Sequence, residues 1–145
     1  MPSKTYQRNT TRRLIDGLMG TVAGRGLSSR TGVLTTTGRT SGELRRTPVD
    51  LIRVDGRLYV VGIYGTVGWV RNLRAEPTCM VRSRDGESSY IATELPPVEG
   101  APVLRRYLEG SSFVRDYQDV GPDSPDEAME TAAAERPVFR LDPRA

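Results

Sequence analysis

The sequence contains no histidine and only one cysteine, Cys79. The absence of histidine excludes Ser-His-Asp and Cys-His catalysis, and it removes the most common side-chain general base and metal ligand. A single cysteine excludes an intrachain disulfide and a clustered thiolate metal site, and it is typical of a protein from a reducing cytoplasm. We therefore expect a cytoplasmic protein without a metal centre.

Long hydrophobic runs are also missing. The apolar segment that begins at Leu14 has about ten mixed residues, too few and too rich in glycine for a signal peptide or a membrane span. Hydrophobic residues make up 37% of the 145 residues and charged residues 27%, which is ordinary for a globular chain. This length and composition predict a single domain over residues 1–145.

The positive charge is concentrated in the first part of the chain. Residues 1–57 carry eleven basic and four acidic side chains, whereas residues 58–145 carry ten and fourteen. A local excess of this size suits nucleic acid, a membrane surface or an anionic small molecule. Charge alone therefore does not choose among these partners.

Five apolar residues near the N-terminus recur at the spacing of one helical face: Leu14, Ile15, Leu18, Met19 and Val22. The pattern predicts a helix over residues 11–23, within an N-terminal arm that covers residues 1–26. We expect this helix to dock on the body of the protein. Peripheral contact with a membrane is the alternative.

β-Branched residues and turn signals predict a barrel core over residues 31–95. The two predicted hairpins turn at Asp55-Gly56, a pair that favours a type I′ turn, and at Asp85-Gly86. The predicted elements are a strand at 31–37, hairpin strands at 47–54 and 57–63, a helix at 67–75, and hairpin strands at 78–84 and 88–95.

Two helices and a closing strand are predicted after this core. The helices lie within residues 101–135: one spans 101–117, and the other opens with Ser124 as N-cap and Pro125 as its first residue. The closing strand covers residues 137–141. About six antiparallel strands with peripheral helices predict a mainly β, α+β fold, a small barrel whose closure protects the strand edges.

The densest group of basic and hydroxyl side chains lies between Gly38 and Pro48. Arginine matches the geometry of phosphate or carboxylate, and the glycines allow backbone amides to point outward, so this turn could bind an anion. A solvated turn between strands is the alternative, because the segment matches no nucleotide-binding loop signature. The residues of interest are Arg39, Thr40, Ser41, Gly42, Arg45, Thr47 and Pro48.

A second candidate segment spans residues 64–73, where a strand ends and a helix begins. Backbone amides at a helix start can bind a ligand, and Tyr64 and Trp69 could form the wall of a site for a flat ring. The alternative is that Trp69 fills the core. Asn72 within a helix suggests a structural hydrogen bond.

Together, these two motifs resemble the deazaflavin-dependent nitroreductase family, also called quinone reductases dependent on reduced coenzyme F420. The similarity runs in order and spacing from Leu34 to Pro77, with weaker agreement through Leu95 and at Asp116-Tyr117-Gln118. The resemblance implies a split β-barrel, coenzyme F420 as cofactor and reductase activity.

The resemblance also implies a cofactor site. The segment equivalent to Arg39–Pro48 binds the phosphate and nearby tail in the family, and this chain keeps Arg39 and Arg45 there. Thr47 and Pro48 match positions that line the deazaflavin side, and the backbone of Val61, Gly62, Ile63 and Tyr64 matches backbone that contacts the ring. Trp69, Asn72 and Leu73 match the family's Trp and Asn-Leu, and Gly65 is included among the expected cofactor-binding residues. Thr40 replaces a lysine of many members, and residues 119–135 resemble an insertion.

The function implied is hydride transfer from reduced F420 to a planar electrophile such as a quinone or a nitroaromatic compound. Tyr117, which matches a tyrosine on the substrate side, is the candidate proton donor. FMN is the alternative cofactor, and a non-catalytic binding module is the alternative class. We expect no nucleic acid partner, because the aromatic residues are not interleaved with arginines. A homodimer is a further arrangement to consider.

Overall fold

One antiparallel sheet of seven strands organises the computed structural model, which describes residues 30–110 and 120–144. The strands are β1 (Thr31–Thr37), β2 (Leu44–Asp50), β3 (Ile52–Val54), β4 (Arg57–Val61), β5 (Thr78–Ser83), β6 (Gly86–Glu94) and β7 (Val138–Pro143). The helices are α1 (Gly68–Ala75), α2 (Pro97–Gly110) and α3 (Asp126–Glu135). The predicted helix at 11–23 and Tyr117 lie outside the described residues.

The sheet curls because its two edge strands are neighbours in the chain. The strand order is β2-β1-β5-β6-β7-β4-β3, and Leu51 alone separates β2 from β3. The edges therefore lie close together, and the strands form a half-barrel. The predicted mainly β split barrel is confirmed, with seven strands where about six were expected.

The additional strand comes from a change of partner at Leu51. β2 pairs with β1, with Pro48 opposite Val33, whereas β3 pairs with β4. The Leu51 amide donates a hydrogen bond to the Arg30 carbonyl at 2.6 Å. The prediction of one strand over residues 47–54 is wrong, because the β-branched pattern continues across a residue at which the pairing changes.

The two predicted turns have different outcomes. Asp55 and Gly56 both have positive φ angles, 51° and 77°, as a type I′ turn requires, so the β3–β4 turn is confirmed. In the other hairpin, Ser83 pairs with Gly86, which places Arg84 and Asp85 at the tip. The Asp85-Gly86 prediction is therefore wrong by one residue.

Two buried clusters lie on opposite faces of β4 and β7. Side chains alternate along a strand, so Val60 and Phe139 enter the cluster beneath α1, whereas Val61 and Val138 enter the cluster formed with α2 and α3. The helices thus cover both faces of this part of the sheet. In the described part of the chain, no helix has both the length and the apolar character that crossing a membrane requires.

The starts of α2 and α3 differ from the predictions. α2 begins at Pro97, four residues before the predicted start, because proline is well tolerated in a first helical turn. The N-cap of α3 is Pro125, not Ser124, and its carbonyl accepts from the Met129 amide at 3.0 Å. Ser124 Oγ instead accepts from the Gly121 amide at 3.0 Å, so the predicted Ser124 cap is wrong.

Gly56→Ala should destabilise the protein through backbone strain alone. A Cβ at Gly56 meets no atom within 4 Å, but its φ of 77° is unfavourable for alanine. We expect the free energy of unfolding, measured in urea, to fall by about 1 to 2 kcal/mol. Gly121→Ala is the matched control, since its Cβ also meets no atom within 4 Å and its φ is not left-handed. Equal effects of the two variants would contradict the assignment.

Candidate functional site

A cavity of about 270 Å³ lies where the ends of β2 and β4 meet the starts of α1 and β1 and the side of α2. Five of its lining residues were not predicted: Thr31, Val49, Asp50, Val67 and Tyr107. Six of its lining residues are predicted site residues: Pro48, Val61, Gly62, Ile63, Tyr64 and Trp69. The fold therefore brings two sequence segments, one from each motif, to one cavity.

Glycines shape the turn that leads from β4 into α1. The Gly62 amide donates to the Pro137 carbonyl at 2.7 Å, and the Gly65 amide donates to the Gly62 carbonyl at 2.9 Å. A Cβ on Gly62 would lie 2.9 Å from both the Gly65 oxygen and the Val70 Cγ2 atom, and Gly65 has a φ of 92°. Glycine at both positions is what allows α1 to start beside the cavity.

The start of α1 has no side-chain cap. Its N-cap, Val67, makes no capping hydrogen bond, and its first turn contains no acidic residue. The first backbone N–H groups of a helix lack intrahelical partners. Since Val67 and Trp69 both line the cavity, α1 begins at the cavity wall.

Trp69 is both a core residue and part of the cavity wall. Only 9% of its surface is exposed, and its ring packs 6.0 Å from that of Phe139 at a tilt of 56°. Tyr64, in contrast, is 75% exposed while lining the same cavity. The two interpretations of Trp69 are therefore compatible.

The turn after β1, residues Gly38–Glu43, is closed by its own hydrogen bonds. The Gly38 amide donates to the Glu43 carbonyl at 2.7 Å, and the Gly42 amide donates to the Gly38 carbonyl at 2.8 Å. Gly42 has a φ of 75°, and Ser41 Oγ accepts from the Glu43 amide at 3.1 Å. We call this segment, together with Arg45, the arginine turn.

Asn72 connects the arginine turn to α1. Its Oδ1 atom accepts from the Arg39 backbone amide at 3.2 Å and from Arg39 Nη1 at 2.9 Å. Its Nδ2 atom donates to Thr36 Oγ1 at 3.1 Å, and both Asn72 and Thr36 are buried. The interpretation of Asn72 as a structural hydrogen-bonding residue is confirmed.

Arg45 lies close to the same turn. A Cβ on Gly38 would be 3.5 Å from Arg45 Nε, so the guanidinium group lies over that glycine. Arg45 also forms an ion pair with Glu43 at 3.6 Å. The Glu43 side chain is 71% exposed, and exposed pairs of this kind contribute little stability. The guanidinium of Arg45 thus lies over Gly38, whereas that of Arg39 is held at Asn72.

β2 joins the arginine turn to the cavity. Arg45, Thr47 and Val49 are half-buried and alternate with exposed neighbours, which places their side chains on one face. Val49 lines the cavity, and Arg45 is four residues away, about 13 Å along an extended strand. The site thus has a basic end and a largely apolar end.

A carboxylate and a phenol complete the cavity wall. The Tyr107 hydroxyl donates to Asp50 Oδ2 at 2.5 Å, and Tyr107 is 8% exposed. Burial, the hydrogen bond to Asp50 and the charge of Asp50 all raise the pKa of the Tyr107 phenol well above its usual range. The sequence contained one signal for this pair: Tyr107 lies on the apolar face of a predicted helix, and a buried hydroxyl needs a hydrogen-bond partner.

The remaining predicted residues lie elsewhere. Thr40 is exposed, Gly65 does not line the cavity, and Leu73 is buried in the core beneath α1. Tyr117 is outside the described residues. Cys79 is buried, which raises the pKa of its thiol to about 11, and the described residues contain no cluster of side chains suited to a metal ion.

Comparison with known proteins identifies one family. The model of the F420H(2)-dependent quinone reductase family matches residues 5–121, which is more than half of the chain. This match confirms the resemblance noted in the sequence. A search of curated proteins gave no significant match.

Solved structures share the fold at low sequence identity. A protein described as a domain-swapped dimer is 24% identical, with a TM-score of 0.59, over 98% of this chain and 100% of that chain. An F420-H2 dependent reductase is 23% identical, with a TM-score of 0.56, over 79% and 95%. An FAD-binding protein from Mesorhizobium loti is 18% identical, with a TM-score of 0.54, over 82% and 84%.

Asn72→Ala should destabilise the protein by about 1 to 3 kcal/mol, because it leaves the buried Thr36 hydroxyl and the Arg39 amide without their partner. Arg71→Ala, on an exposed position of the same helix, should change the free energy of unfolding by less than about 0.5 kcal/mol. Urea denaturation measures both values. A neutral effect of Asn72→Ala would show that these hydrogen bonds do not hold the turn to α1.

Proposed function

Because this chain belongs to the F420H(2)-dependent quinone reductase family, we propose that it transfers a hydride from reduced F420 to a planar electrophile such as a quinone or a nitroaromatic compound. The family consists of oxidoreductases that use coenzyme F420, so the reaction class and the cofactor follow from membership. The acceptor and the residues that bind the cofactor are the proposal. The proposal rests on one observation: one face of β2 connects the arginine turn to the cavity.

The residues at the two ends fit the two chemical parts of the cofactor. Guanidinium groups suit a tail that carries phosphate and carboxylates, and the arginine turn carries two of them, Arg45 over Gly38 and Arg39 at Asn72. A wall that includes Trp69, Val49 and Pro48 suits a flat ring. The carboxylate of Asp50 at the cavity end and the arginines at the other favour one orientation of an anionic tail.

The chain's own residues perform binding and orientation. When bound, the reduced deazaflavin supplies the hydride. Trp69 and the glycine turn at Gly62 define the wall against which a ring is held, and Asn72 fixes the arginine turn through Arg39. Tyr117 remains the proposed proton donor, on the basis of the family resemblance.

The rival cofactor is FMN, which also carries a phosphate. A protein with a similar fold is described as FAD-binding, so flavin binding is a specific alternative. We expect equilibrium dialysis of the purified protein to show saturable binding of oxidised F420 and much weaker binding of FMN. Tighter binding of FMN, or a purified protein that is yellow with a flavin spectrum, would reverse the assignment.

Arg45→Ala should weaken F420 binding about tenfold or more, because it removes a charge-assisted hydrogen bond to the anionic tail. The affinity should also depend less on salt than in the wild type. Arg57→Ala is the matched control, since Arg57 is exposed beside the β3–β4 turn and lies outside the cavity lining. An unchanged dissociation constant in Arg45→Ala, or equal losses in both variants, would refute this role.

A homodimer is the assembly that we propose. It is supported by the similar fold of a protein described as a domain-swapped dimer. Sedimentation velocity distinguishes a dimer from the 16.0 kDa monomer. The proposed partner is a small-molecule acceptor, and the suggested peripheral membrane contact would involve residues 11–23, outside the described chain.

A further inference from the structure

The carboxylate of Asp50 is an unusual component of the cavity. Most other lining groups are apolar or are glycine and hydroxyl side chains, but Asp50, an exposed residue at the end of β2, adds an ionisable oxygen pair to the lining. Its position at the end of β2, opposite Thr31 in the register, is fixed by the sheet. An acidic side chain at this position changes the affinity of the cavity for a ligand according to the charge of that ligand.

Tyr107 holds this carboxylate at the cavity. The phenol donates its only proton to Asp50 Oδ2 at 2.5 Å, and Tyr107, a residue of α2, is almost fully buried. The proton of the phenol is therefore committed to Asp50. The pair therefore presents a negative charge and hydrogen-bond acceptors to the cavity. The Tyr107 hydroxyl has no second proton to donate.

No basic side chain forms an ion pair with Asp50 within residues 30–110 and 120–144. Asp50 also lines a second cavity together with Arg30, Arg53 and Arg106, but none of these arginines pairs with it in these ranges. Arg106 instead pairs with Glu109 at 3.5 Å, and Arg30 Nη1 donates to the Gly110 carbonyl at 2.7 Å. Among the described residues that line the smaller cavity, Asp50 is the charged side chain, and no basic residue lines it.

We propose that Asp50, held in place by Tyr107, makes the site selective for uncharged electron acceptors over anionic ones. The inference rests on the proposed function, because it assumes that the acceptor binds in the cavity beside the cofactor ring. A like charge at a binding site discriminates by repelling the wrong ligand. Asp50 thus affects which acceptor binds. It does not affect the arginine turn, which binds the cofactor tail.

The test compares two acceptors on the protein saturated with oxidised F420. Calorimetry gives dissociation constants for menadione, which is neutral, and for a carboxylated naphthoquinone of the same ring size, and steady-state kcat/KM values accompany them. In Asp50→Asn, which keeps an oxygen acceptor for Tyr107, we expect the preference for menadione to fall about tenfold. Asp55→Asn removes the same charge at the β3–β4 turn, outside the cavity lining, and should leave the preference unchanged.

Two further measurements separate charge from structure. Tyr107→Phe keeps the charge of the carboxylate but removes the hydrogen bond that holds it, so the preference should fall by about twofold to threefold, less than in Asp50→Asn. Raising the salt from about 0.1 M to about 1 M shortens the Debye length from about 10 Å to about 3 Å, so the wild-type preference should decrease without any mutation.

An unchanged preference in Asp50→Asn would overturn the proposal, as would equal changes in Asp50→Asn and Tyr107→Phe, or in Asp50→Asn and Asp55→Asn. The dissociation constant of F420 is measured for every variant. If F420 binds normally but the preference for menadione is the same in Asp50→Asn and the wild type, only this inference fails. If the wild type does not bind F420, the proposed function fails instead.

Discussion

The hydrogen bonds of Asn72 are the interaction on which the arrangement of the site depends. This side chain accepts twice from Arg39 and donates to the buried hydroxyl of Thr36, so it fixes α1, the end of β1 and the arginine turn to one another. α1 in turn places Trp69 at the cavity. The basic end of the site and its ring-sized end are therefore positioned by the same short helix. A buried amide inside a helix is costly without partners, and here each polar atom has one.

Much of this organisation could be predicted from local sequence, and the failures have a common cause. β1 and the Asp55-Gly56 turn follow from β-branched residues and from the backbone preferences of two residues, which are local properties. The change of partner at Leu51 and the Ser124 hydrogen bond to Gly121 depend on neighbours that the pattern does not contain. Asp50 and Tyr107 were missed for the same reason, since 57 residues separate the two partners. The family resemblance predicts cofactor-binding segments but did not point to this pair.

Charge is distributed along the site in a way that suits an elongated ligand with one anionic end. The arginine turn supplies guanidinium groups at one end of β2, and Asp50 lies at the other end of the same strand. Because charged groups attract or repel over several ångströms, we propose that this polarity both orients a tail and discriminates among acceptors. A chain without histidine can perform such a reaction because its own work is orientation and electrostatics.

The most direct measurement uses Trp69, the only tryptophan of the chain, as a reporter of where the cofactor ring binds. Oxidised F420 is titrated into the protein while indole emission is recorded, and dialysis under the same conditions gives the bound fraction. If the ring occupies the cavity, Trp69 emission should be strongly quenched in proportion to the bound fraction. Saturable binding of F420 with unchanged Trp69 emission would contradict the placement of the ring beside this residue.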